Sequence, residues 1–98
     1  MTDLADLERD LRAPKRLTRM RAVRALGRLG GPEATRLLFA VHDDDAEKPV
    51  IRNLALDALV QIGTAEVADG LEARLPGYPS LRGEKAVAKK VAKIRQSL

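Results

Sequence analysis

Cysteine and tryptophan are both absent from this 98-residue chain, which carries one Phe and one Tyr. Without cysteine there can be neither disulfides nor thiolate metal sites, which fits a reducing compartment. With so few aromatics, a core built on large rings or a base-stacking surface is excluded. Long apolar runs are also missing: none approaches the ~20 residues that a membrane span requires. The opening "MTDLADLERD" lacks the basic and apolar regions of a signal peptide. A soluble, cytoplasmic chain is therefore expected, with no membrane role.

Leucine and alanine are abundant, fifteen of each, while β-branched residues are scarce. Both are strong helix formers, so the composition favours an all-α fold. At this length one domain is expected. The formal net charge of +4 conceals a division. Residues 1–36 carry nine basic and five acidic groups, residues 37–81 three and eight, and residues 82–98 six and one. A basic start and end thus flank an acidic centre.

Apolar spacing predicts six helices. The first runs over about Asp3–Arg12 with Leu4, Leu7 and Leu11 in one stripe. The second, about Lys15–Leu29, aligns Ala22, Ala25, Leu26 and Leu29. A third over Pro32–His42 aligns Ala34, Leu37, Leu38 and Val41. After "DDDAEK" a fourth begins at Pro49 and gathers Ile51, Ala55, Ala58, Leu59 and Ile62. The fifth, Ala65–Leu75, shows Val67, Ala68, Leu71 and Leu75. "PGYPS" breaks the chain, leaving Tyr78 in a surface loop. The sixth helix, Glu84–Ser97, places Val87, Val91, Ile94 and Leu98 together.

Between helices two and three stands "GGP", and between four and five "GT". Gly30 and Gly63 suit the left-handed position that ends a helix, because no Cβ is strained there. Pro32 fits the first turn of the next helix, and Thr64 offers a hydroxyl cap. Each passage is therefore read as an antiparallel helical hairpin. A shift of 33 residues lays one passage on the other. Asp10 falls on Asp43, Arg19 on Arg52, Ala22 on Ala55, Ala25 on Ala58 and Leu26 on Leu59. Leu29 then meets Ile62, Gly30 meets Gly63, Glu33 meets Glu66 and Leu38 meets Leu71. Nine agreements at one offset indicate stacked helical repeats rather than coincidence.

The stretches "RMRAVRALGRLGGPEATRLL" and "IRNLALDALVQIGTAEVADGL" resemble HEAT repeats, of the short bacterial kind similar to phycobilisome-lyase HEAT-like repeats. The resemblance covers about residues 10–75. It implies a short right-handed α-solenoid of about six helices in a single domain, 1–98. That domain would hold an N-terminal half-repeat 1–12, repeats 13–42 and 43–75, and a C-terminal half-repeat 76–98. By the same resemblance Arg19 and Arg52 would be rungs of a structural ladder, pairing with Asp10, Asp43 or Asp45. The Asp43–Arg52 loop is longer than the family's tightest form.

No nucleophile–base set can be assembled without cysteine and with only Ser80, Ser97 and a few threonines, so no catalytic residues are nominated. "HDDD", His42 to Asp45, presents carboxylates that diverge along the chain, and one His makes no zinc pair. Capping and solvation of the loop explain it better than a metal, and no cofactor is expected. Arg21, Arg24 and Arg28 share one outward stripe, as do Lys85, Lys89 and Lys93. Such stripes can track phosphates or meet an acidic protein, or they can simply keep the ends of the stack soluble.

Phe39 is turned away from Leu37, Leu38 and Val41 and lies near Arg36. In the family the second helix of each pair lines the concave surface, which would set Phe39 and Arg36 at a groove beside Glu66, Asp69 and Glu72. Aromatic and arginine side chains are frequent binding anchors. The alternative is that Phe39 packs sideways on a neighbouring helix. The expected function is a non-enzymatic adaptor that binds another protein on that surface, as a monomer or with weak self-association. The alternative is nucleic-acid binding through the basic stripes on helices 15–29 and 84–97.

Overall fold

A computed structural model describes residues 3–98; the first two residues of the expected half-repeat 1–12 lie outside the described residues. Six α-helices follow in order: α1 (Leu4–Asp10), α2 (Arg16–Leu29), α3 (Gly31–Asp43), α4 (Pro49–Ile62), α5 (Ala65–Ala73) and α6 (Leu81–Ser97). A short 3-10 turn, Leu75–Gly77, precedes α6, and no strand occurs among the described residues. The all-α class and the helix count agree with the apolar spacing. The chain divides into two compact units, one ending at Ile62 and the other comprising Gly63–Leu98.

In the first unit α2 packs against α1, α3 and α4, and α3 packs against α4 as well. The buried face of α2 consists of Ala22, Val23, Leu26 and Gly27. This corrects the expected stripe: Ala25 is half-buried and Leu29 is 52% exposed. The face is rotated toward Val23 and Gly27, which puts Ala25 and Leu29 on its margin. Gly27 explains the rotation. A Cβ built there would stand 2.9 Å from the Ala58 Cβ and 3.2 Å from its Cα. So α2 and α4 approach closely on a row of small side chains, closer than any larger residue at 27 would permit.

From α3, Ala34, Leu37, Leu38 and Val41 are buried as the spacing predicts, together with Thr35. The Thr35 hydroxyl donates to the Gly31 carbonyl at 2.8 Å, one turn back, so its polar group is satisfied inside the helix. Ile51, Ala55, Ala58 and Leu59 of α4 complete the core, while Ile62 is half-buried. The joint between α2 and α3 is made by Gly30, whose N–H donates to the Leu26 carbonyl at 3.0 Å.

Gly30 has φ 68° and ψ −169°. The φ is positive as expected, but ψ is extended rather than left-handed helical, a region open essentially to glycine alone. A Cβ there meets nothing within 4 Å, so any cost of substitution is conformational. Gly30→Ala should therefore lose about 1–3 kcal/mol of unfolding free energy. Gly77→Ala, equally open but without a positive φ, should change stability by less than about 0.5 kcal/mol. Chemical denaturation of the two variants checks the contrast.

In the second unit α5 packs on α6, and the 3-10 turn touches both. Thr64 caps α5, its hydroxyl accepting from the Val67 N–H at 3.2 Å, as its place after Gly63 suggested. The helix ends at Ala73, earlier than Leu75, because the chain tightens into the 3-10 turn at Pro76. Ser80 caps α6 by accepting from the Gly83 N–H at 3.0 Å, so α6 starts at Leu81, three residues before the expected Glu84. Val67, Ala68 and Leu71 of α5 and Val87, Val91 and Ile94 of α6 are buried. Leu98, expected on that seam, is exposed.

Candidate functional site

Arg19 falls on the inward face of α2, one turn before Ala22 and Val23, and is only 17% exposed. All three of its guanidinium nitrogens donate. Nε donates to Glu47 Oε2 at 2.9 Å and Nη2 to Oε1 at 3.0 Å, a bidentate pair with a carboxylate that is itself 10% exposed. Nη1 donates to the carbonyls of Ala13 and Pro14 at 2.9 and 3.1 Å. Burial on its own would push the Glu47 carboxyl up. The Arg19 hydrogen bonds, the Lys48 N–H and the two cations outweigh that, and the carboxyl is held below its ordinary value.

This corrects the expected ladder at Arg19, whereas Arg52 does meet Asp45, one of the aspartates expected for it. Among the described residues the Asp10 carboxylate, in the last turn of α1, has Arg9 as its one ion-pair partner, at 3.9 Å, and the longer reach of Glu47 from the α3–α4 loop fills the place assigned to it. Arg52 behaves in parallel but more loosely: Nε donates to the His42 carbonyl at 3.0 Å and Nη2 lies 3.5 Å from Asp45. Asp43, the residue at matching offset, instead meets His42 Nδ1 at 2.9 Å. Asp44 accepts from the Ala46 N–H at 2.9 Å. The acidic loop is thus held by local bonds at Asp43 and Asp44 and by the two arginines at Asp45 and Glu47.

On α3, Arg36 is exposed and Phe39 is half-buried. Arg36 donates to Glu33 Oε2 from Nε at 3.2 Å and from Nη2 at 2.8 Å, and the Glu33 hydrogen bonds raise its pKa further. On α5, Glu66, Asp69 and Glu72 are exposed. Two of the three have a partner that the spacing did not reveal. Arg95 of α6 donates to Asp69 at 2.9 Å and to Glu72 at 3.4 Å, the Asp69 bond being the first cause of its raised pKa. Those carboxylates brace the second hairpin as well as facing solvent. Glu66 has no ion-pair partner among the described residues.

The basic stripes behave differently. Arg21, Arg24 and Arg28 on α2 and Lys85, Lys89 and Lys93 on α6 are all exposed. None of the six side chains has a hydrogen-bond or ion-pair partner among the described residues. A cleft of about 160 Å³ between α1, α3 and the following loop is lined by Leu11, Leu37 and Val41 with Glu8, Asp44 and Glu47. Pockets that enclose small ligands run to ~300 Å³ and more. Along α6 a second hollow is walled by Lys89, Lys90 and Lys93 over Ala86 and Ala92 and lies open to solvent. Among the described residues no group of three or more His, Asp or Glu converges on a metal-sized site, and no helix is long and apolar enough to cross a membrane.

The described geometry offers charged and amphipathic helix faces. A family model described as HEAT repeats matches residues 4–90. No curated protein and no solved structure matches the chain.

Proposed function

The chain belongs to the HEAT-repeat family, and from that premise we propose that it is a non-enzymatic adaptor that binds another protein through exposed helix faces. HEAT repeats generally mediate protein–protein interaction and are typically non-enzymatic scaffolds. The observation that carries the reading is on α3: an exposed guanidinium, Arg36, oriented by Glu33, next to the half-buried ring of Phe39. An ordered arginine beside an aromatic loses little side-chain freedom on binding. On α5, Glu66 with the Arg95-braced Asp69 and Glu72 offers a carboxylate row to a basic partner.

The double variant Phe39→Ala/Arg36→Glu tests this. It should lose most of the partner captured by the wild-type protein while keeping its far-ultraviolet circular dichroism. Full retention of the partner overturns the role of α3.

Nucleic-acid binding is a second reading, favoured by the six unpaired basic side chains on α2 and α6. Duplex and single-stranded oligonucleotides at two salt concentrations distinguish the readings, since phosphate binding weakens steeply with salt.

A further inference from the structure

The outer face of α2 carries more than charge. Five large apolar side chains are exposed among the described residues, and two of them, Leu17 at 63% and Leu29 at 52%, belong to this helix. Leu17, Arg21, Arg24 and Arg28 recur at i, i+4, i+7 and i+11 and therefore share one stripe. Leu29 lies about 100° round the helix from Arg28, at the margin of the buried Ala22–Val23–Leu26–Gly27 face, so the exposed arc of about 140° runs from the arginine stripe to that margin. Along the axis the two leucines stand about 18 Å apart, and the three guanidiniums occupy about 10 Å between them.

This stripe is under electrostatic tension. No acidic residue occurs anywhere in α2, so the three arginines repel one another at i+3 and i+4 spacing without relief. A solubilising face ordinarily intersperses both signs, whereas this stripe carries one sign and begins on an exposed leucine. We propose that the outer face of α2 is a docking surface for an acidic amphipathic helix of a partner protein. Its carboxylates would recur at i, i+3 and i+7, bracketed by aliphatic side chains. Planar guanidinium forks match carboxylates two bonds at a time, and a facing helix repeats its side chains at the same rise. Bound carboxylates relieve the repulsion, and the terminal leucines gain apolar cover. A nucleic-acid strand fits less well, for it would leave both leucines uncovered and find no aromatic side chain on α2 to stack upon.

The inference extends the protein-binding reading to a second face, and one experiment separates the two. The probe is a fluorescein-labelled helical peptide with Glu at i, i+3 and i+7 and Leu at both ends, followed by fluorescence anisotropy. A scrambled peptide of the same composition and a DNA duplex serve as comparison arms. The ordered peptide should bind, and Arg21→Glu/Arg24→Glu/Arg28→Glu should weaken it by about tenfold or more. Leu17→Ser/Leu29→Ser should weaken it by about threefold. Lys85→Glu/Lys89→Glu/Lys93→Glu and Phe39→Ala/Arg36→Glu should leave it unchanged, so loss of capture by α3 and loss of peptide binding by α2 register independently. If the triple reversal loses helicity, Arg21→Gln/Arg24→Gln/Arg28→Gln replaces it. Equal binding of the scrambled peptide, tighter binding of the duplex at the same salt, or no effect of the arginine variants overturns the proposal.

Discussion

Gly27→Val should destabilise the first unit by about 3 kcal/mol, the upper part of the range for overpacking a tight interface. On a unit of this size that is a fall in melting temperature of roughly 10–20 °C, read by circular dichroism. The reason is geometric. Even the single methyl of alanine at position 27 would come within 2.9 Å of the Ala58 Cβ and 3.0 Å of Gln61 Oε1. The glutamine end can swing aside, but Ala58 is fixed to the α4 backbone, so the helices themselves must part. Alanine is ordinarily the better helix former by about 1 kcal/mol, and a stabilised Gly27→Ala variant would show that α2 and α4 do not meet as described. The sharper check is Gly27→Ala combined with Ala58→Gly. Removing the obstructing methyl should return part of the loss, so the double variant should be more stable than the sum of the single changes.

The second large effect is expected at Glu47. Glu47→Ala removes the carboxylate that pairs with Arg19, leaving only the Ala13 and Pro14 carbonyls as its acceptors among the described residues, and a guanidinium that is 17% exposed loses its counter-ion. Breaking a buried pair in this one-sided way costs about 3–5 kcal/mol when burial is complete, so about 2–3 kcal/mol is expected here. The pH dependence follows from the direction of the shift. A carboxyl whose folded pKa lies below its unfolded value contributes stability that is present above the unfolded value, about 4.3. That contribution disappears as the pH falls through the lower, folded value. Denaturation curves between neutral pH and pH 3 should show the wild type losing this increment on acidification. Glu47→Gln should be weaker at neutral pH and flatter across the same range. An identical pH slope in the two proteins would exclude the Arg19 pair as its source.

The sequence made some of these features readable and hid others for definable reasons. The 33-residue offset reached Ala22, Leu26, Ala55, Ala58 and Leu59 because core positions in a repeated hairpin recur together, and all five are buried. It misled at Leu29, which matches Ile62 in type but sits on the margin of α2. Gly27 was overlooked because a glycine inside a helix carries no periodic signal; its role exists only in relation to Ala58 on another helix. Glu47 escaped for a similar reason. Its offset partner is Pro14, so comparing repeats could not propose a carboxylate there, and the apparent symmetry of Asp10 and Asp43 pointed elsewhere. The start of α6 at Leu81 is set by the Ser80 cap, whose hydroxyl accepts from the Gly83 N–H, a contact that apolar spacing does not register. For the candidate surfaces, spacing put Arg21, Arg24 and Arg28 outside, as found. It gave no sign that Arg95 brackets Asp69 and Glu72, because that contact spans two helices.

Arg19 fastens the linker carbonyls of Ala13 and Pro14 and the α3–α4 loop at Glu47 with one side chain. A guanidinium has a fixed span, so the stretch from Asp44 to Lys48 is measured against it. Surface loops ordinarily absorb inserted residues with little penalty. Here an added residue before Glu47 would carry the carboxylate out of range and strand the arginine. In any lineage descended from this chain, lengthening the loop and abandoning Arg19 should be inherited as one event.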